Sequence, residues 1–125
     1  MTYKALADMV ASVGLPCSYY QFPDDTPQAP PFICWIYPGR ADFYGDDSNY
    51  QKIETVQLEL YTDVKDIAQE AAVEAVLSSY GFTWARDEGF LDDEKMHLTT
   101  WNFDVVITPE AATENTTQED VNNGQ

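Results

Sequence analysis

His97 is the single histidine of the sequence, set between Met96 and Leu98. A nucleophile–histidine–acid set needs a Ser or Cys held beside the imidazole. No G-x-S-x-G turn is present to hold one, so His97 reads as a structural or surface residue. Zinc sites use ligands paired at short spacing, whereas Cys17 and Cys34 stand far apart with no partner motif. The six glycines are scattered at turns and form no phosphate-cradling loop. Carboxylates are abundant, as Asp24-Asp25, Asp46-Asp47 and Asp92-Asp93-Glu94, but each group falls in an expected loop. The stretch Asp46-Asp47-Ser48-Asn49 offers oxygen ligands without the glycine and closing glutamate of a calcium loop. A glycosidase pair would need one carboxyl with a raised pKa, which spacing does not supply. The inventory therefore assigns no catalytic residue, no metal and no cofactor.

Six Lys+Arg against twenty-two Asp+Glu give a formal net charge of -16. Gripping nucleic acid by neutralising phosphates requires clustered cations, and an anionic lipid surface would repel this chain for the same reason. Disorder is countered by 44% hydrophobic and 14% aromatic content, which is that of a packed domain. The first fifteen residues hold Asp8 and no apolar run long enough for a signal-peptide core. Without an export signal the two cysteines read as reduced thiols, and a disulfide would require their strands to pair.

The elements that must position these residues follow from periodicity. Leu6, Met9, Val10 and Val13 make one apolar stripe of a helix over about residues 3–13, with Thr2 as N-cap and Gly14 just past its end. A short aromatic strand spans 18–22. The proline-rich loop PDDTPQAPP leads into the all-apolar strand 32–37, which Pro38-Gly39 ends. A loop or protruding hairpin fills 40–50, with Gly45 near its tip. A strand over 52–62 has Val56, Leu58 and Leu60 on one face; Ile53 is out of phase, which predicts a bulge at Glu54-Thr55. Asp63 caps a helix over 64–80 whose apolar face is Val64, Ile67, Ala68, Ala71, Ala75 and Leu77, closed by Gly81. Strand 82–86, a turn at Asp87-Glu88-Gly89 and strand 95–107 complete the fold. In that last strand Trp101, Phe103, Val105 and Ile107 share a face, and the opposite phase of Met96 and Leu98 predicts a second bulge or a twist.

The order α-β-β-β-α-β-β makes an α+β domain over 1–108, an antiparallel or mixed sheet packed by two helices. Strands 32–37 and 52–62, and strands 82–86 and 95–107, are expected to pair as hairpins. The two long strands are expected to leave at least one edge exposed, which the solvated charges Glu54, Glu59 and Asp104 must protect and an oligomer would protect better. Residues 109–125 form an acidic polar tail too poor in apolar side chains to order alone. Partner binding is expected of the loop set Arg40, Asp42, Phe43, Tyr44, Asp46, Asp47 and Tyr50, because loop aromatics among charges suit protein contacts. Packing over the sheet is the other reading of Phe43 and Tyr44. The tail residues Pro109, Glu110, Glu114, Glu119 and Asp120 are a second candidate contact.

An amphipathic helix leading to Ser18-Tyr19-Tyr20-Gln21-Phe22-Pro23, the strand Pro31-Phe32-Ile33-Cys34-Trp35-Ile36-Tyr37, the strand Glu54–Thr62, a helix and a closing hairpin ending Trp101-Asn102-Phe103-Asp104 resemble the tail terminator (tail completion or minor tail) proteins of long-tailed phages and prophages. The likeness covers about residues 1–108 and rests on element order and strand character. It implies a virion subunit, assembled in the host cytoplasm, that forms a ring, typically a hexamer. Such a ring caps the head-proximal end of the tail tube, meets the head completion proteins of the neck, and lets DNA pass without specific binding. Two other readings stand beside it: a head-tail stopper or other neck subunit, and an acidic DNA mimic that inhibits a DNA-binding enzyme. The mimic would need acids regularly spaced on one face, and here they concentrate in loops and tail.

Overall fold

The computed structural model describes residues 1–45 and 48–109. Helix α1 (Tyr3–Ala11) begins where expected: Thr2 Oγ1 accepts the Ala5 N–H at 3.0 Å, and Leu6, Met9 and Val10 are buried. Gly14 follows at φ 94, a left-handed conformation that glycine takes without steric penalty.

Five strands, β1 (Cys17–Tyr19), β2 (Phe32–Arg40), β4 (Ser48–Thr62), β6 (Met96–Ile107) and β5 (Ala85–Leu91), lie side by side in that order. A short strand β3 (Phe43–Gly45) pairs with the start of β4. Strand β1 runs parallel to β2, and every other pair is antiparallel, so the sheet is mixed. Both expected hairpin pairings are present, β2 with β4 and β5 with β6. Helices α1 and α2 (Ile67–Ser79) pack on one face. Their Leu6, Met9, Val10, Val73 and Leu77 share a core with Ile33, Trp35, Val56, Leu58, Leu60, Trp101, Phe103 and Val105. The fold is thus α+β, two layers with one helical. No helix among the described residues is long and apolar enough to cross a membrane.

Several boundaries depart from the sequence pattern, most of them for a common reason. The bulge expected at Glu54-Thr55 is absent from β4, which pairs with β6 in unbroken register from Lys52↔Ile107 to Thr62↔His97. Glu54 keeps the core-facing phase of Val56 and is itself buried. The second expected bulge is missing too, because His97 and Thr99 continue the core-facing phase of Trp101 with polar side chains. A register shift does occur, on β2 between Ile36 and Gly39. There Pro38, which has no N–H to give, is accommodated inside a strand that runs on to Arg40 rather than ending.

Helix α2 starts three residues later than expected, capped by Asp66, whose carboxylate accepts the Gln69 N–H at 3.1 Å. Its buried face is Glu70, Val73 and Leu77, whereas Val64 and Ile67 are each 72% exposed. Of the expected stripe only Leu77 is buried, while Ala68, Ala71 and Ala75 are exposed with Val64 and Ile67, because a carboxylate occupies the core-facing first turn. Gly81, at φ 83, does close the helix. Asp87-Glu88-Gly89 is not a turn but the middle of β5; the turn falls at Asp92–Lys95. An edge strand open on both faces carries no apolar alternation to read. Strand β1 is shorter than expected because Tyr20, at φ 72, turns the chain away. The long strands β4 and β6 are interior, so the sheet edges are the shorter β1 and β5. Cys17 and Cys34 lie on paired strands, but Cys17 is aligned with Ile33 and packs on the core while Cys34 faces the other way; both are free.

Candidate functional site

Two places gather charged and aromatic groups. The first is the hairpin formed by β3 and the first residues of β4, joined through Phe43↔Gln51, Tyr44↔Asn49 and Gly45↔Ser48. Its base is pinned from three sides. The Ala41 N–H donates to the Ile53 carbonyl at 2.8 Å, and the Ile53 N–H donates to Asp42 Oδ1 at 3.1 Å. Arg40 lays its guanidinium fork on the same carboxylate, Nε to Oδ1 at 2.7 Å and Nη2 to Oδ2 at 2.6 Å. A bidentate fork of this kind fixes geometry as well as charge. Its first cause is that hydrogen bond, which holds the Arg40 pKa above its ordinary value. Arg40 and Asp42 therefore engage each other and stiffen the hairpin root. Phe43, next in the chain, is 63% exposed. Tyr44 and Tyr50 lie on the backbones of β3 and β4. Asp46, Asp47, Glu110, Glu114, Glu119 and Asp120 lie outside the described residues. Pro109 is exposed two residues past β6, whose last residue Ile107 is aligned with Lys52, next to the hairpin's Phe43↔Gln51 pair.

The second place was missed from sequence. Glu70 on α2, with its side chain 7% exposed, accepts from Lys65 Nζ at 2.9 Å and Arg86 Nη2 at 2.6 Å through Oε1, and from Thr99 Oγ1 at 3.1 Å through Oε2. Lys65 also reaches Glu88 on β5, and Arg86 lies 3.4 Å from the same carboxylate. One turn along α2, Glu74 accepts the Trp101 indole N–H at 3.0 Å. Burial pushes the Glu70 carboxyl up, but the hydrogen bonds from Lys65, Thr99 and Arg86 outweigh it and hold the pKa below its usual value. The hydrogen bond from Lys65 lowers Glu88 as well. The signal that would have found the network is phase: Glu70 stands three and seven residues before the buried Val73 and Leu77, and His97 and Thr99 share the face of Trp101.

Donor atoms of Glu70, Glu88 and His97 fall within 4.8 Å of one another, close enough for a metal ion to bridge. Lys65 and Arg86 already sit on the two carboxylates, however, and a cation placed there would meet both of them at short range. His97 Nε2 is buried without a hydrogen bond among the described residues, 3.5 Å from Glu88. Thr99, the hydroxyl of the network, is buried and committed to Glu70. The arrangement locks α2 to the β5–β6 edge, with the Lys65 amine and the Thr99 hydroxyl both engaged by carboxylates.

No family model matches the chain, and no curated protein does. Among solved structures, the fold is shared with a chain from the virion of a native gene transfer agent particle, at a TM-score of 0.57 and 17% identity. The match covers 84% of this chain and 87% of that one.

Proposed function

We propose that this protein is a structural subunit of a phage-like virion, a tail terminator that assembles as a ring at the head-proximal end of the tail tube. The observation that carries the reading is the shared fold: a chain of a gene transfer agent virion has the same architecture over most of its length. The resemblance of the strand sequences to tail terminators points independently to the same kind of particle. Charge suits the role, since a ring of subunits each at -16 would not retain DNA by phosphate neutralisation and leaves it free to slide. The stiffened hairpin, with Phe43 exposed beyond its Arg40–Asp42 root, is the element offered to a neighbouring subunit, the tube or the neck proteins.

Light scattering and negative-stain images of the purified protein test the reading. Rings of a fixed subunit number, and the same density between head and tail tube in particles, are the expected result. A strict monomer that is absent from particles overturns it.

A further inference from the structure

The sheet ends in two unlike open edges, and we infer that the β5 edge of one copy pairs with the β1 edge of the next, making the sheet continuous from subunit to subunit. This contact rests on the ring reading above and supplies its interface.

Strand β5 is last in the strand order, and among the described residues no backbone bond beyond its ladder with β6 reaches Ala85–Leu91. Such a row of unpaired N–H and C=O groups is a template for another strand. Phe90 of this edge lies on the helix-bearing side and is 53% exposed, and Ile67, the first residue of α2, is 72% exposed. A groove of about 320 Å³ runs between α2 and β5 there, lined by Lys65, Ile67, Glu70, Ala71, Glu74 and Arg86.

At the other end, the bonds from Ile33 N–H to Pro16 O (2.9 Å) and from Tyr20 N–H to Trp35 O (2.8 Å) show that residues 16, 18 and 20 face β2. The N–H and C=O of Cys17 and the N–H of Tyr19 therefore point outward, while the Tyr19 carbonyl accepts from Gln21 N–H at 2.8 Å. Tyr20, 65% exposed, is held at φ 72, a conformation unfavourable for a bulky side chain. Tyr19 is 47% exposed and lies on the helix-bearing face with Trp35.

Charge selects a second copy's β1 over its β5. Antiparallel pairing of β5 with itself sets Asp87 against Asp87 or Glu88 against Glu88 in its central registers, and like charges opposite one another destabilise a ladder. Cys17–Tyr20 brings no charge at all. Direction agrees. With β1 parallel to β2 and each later pair antiparallel, β5 runs opposite to β1, so a sheet continued in the same sense joins them antiparallel. Faces agree as well: Tyr19 of one copy comes to the side that carries Phe90 and Ile67 on the other. Two different patches in contact form a heterologous interface, which closes into a ring when its rotation permits.

Disulfide trapping tests the contact in the full chain carrying Cys17→Ser, with Ser18→Cys on one edge and Asp87→Cys or Gly89→Cys on the other, all on the helix-free face. Oxidation of the double variants should give a ladder of covalent multimers ending at the ring number. A mixture of the two single variants should give heterodimers, and neither single variant alone should give dimers. Dimers from Asp87→Cys or Gly89→Cys alone would show β5 pairing with itself and overturn the inference. Rings without any trapping would overturn this contact and leave the ring reading standing; monomer throughout would overturn both. Ile67→Glu, at an exposed position, is the second arm: an unchanged melting temperature with loss of rings to smaller species is expected, and undiminished rings would count against the interface.

Discussion

Glu70 Oε1 and Arg86 Nη2 lie 2.6 Å apart across the seam between α2 and the edge strand β5. Lys65 and Thr99 complete the coordination of the carboxylate. Removing a buried carboxylate strands its partners; here two of them are more than a third exposed, which lowers the cost. Glu70→Ala should lose about 2 kcal/mol of stability. A urea midpoint unchanged from the parent would refute that role.

The same group sets an acid limit. Glu70 and Glu88 have folded pKa values below their ordinary 4.5. Their contribution is therefore complete above that value and is lost as pH falls through the lower folded values. Melting temperature should drop steeply below about pH 4.5, and Glu70→Gln should flatten this acid limb. Lys65 is shifted upward by its hydrogen bonds to Glu70 and Glu88, so its contribution disappears only when pH rises past its ordinary 10.5.

Tyr3 donates to the buried Glu54 at 2.7 Å, joining α1 to the interior strand β4. Tyr3→Phe leaves that carboxylate oxygen without its donor and should cost about 1–2 kcal/mol. Chemical denaturation of the two proteins measures it.

Leu77 and Ile67 sit on one helix with opposite fates, Leu77 fully buried and Ile67 largely exposed. Leu77→Ala should destabilise by about 2–5 kcal/mol, while Ile67→Ala should stay within about 0.5 kcal/mol. Equal losses would mean that α2 packs by its other face.

Phe43 contributes little to its own fold at 63% exposure. Phe43→Ser should leave the melting temperature of the subunit unchanged and reduce its incorporation into rings or particles. Normal assembly would remove the hairpin from the contact surface.

Local signals in the sequence determined much of this protein. The cap at Thr2, the stripe Leu6–Met9–Val10, the left-handed glycines Gly14 and Gly81 and the alternation of Val56, Leu58 and Leu60 depend on neighbours a few residues away, so the chain itself displays them. From them came the α+β class and the two hairpin pairings, while residues 40–50, expected as a loop or protruding hairpin, hold the β3–β4 pairing that carries Phe43. What the tertiary structure alone decided is where acids are buried. Glu54 and Glu70 occupy core-facing positions because Tyr3, Lys65, Arg86 and Thr99 arrive from other elements to bond them. Read locally, a polar side chain belongs in water, and that rule suggested bulges at Glu54 and near His97 that β4 and β6 do not have, misplaced most of the buried face of α2 and hid the ion-pair network. The pairing that reverses the rule is made between residues up to 51 positions apart, a distance over which periodicity carries no information.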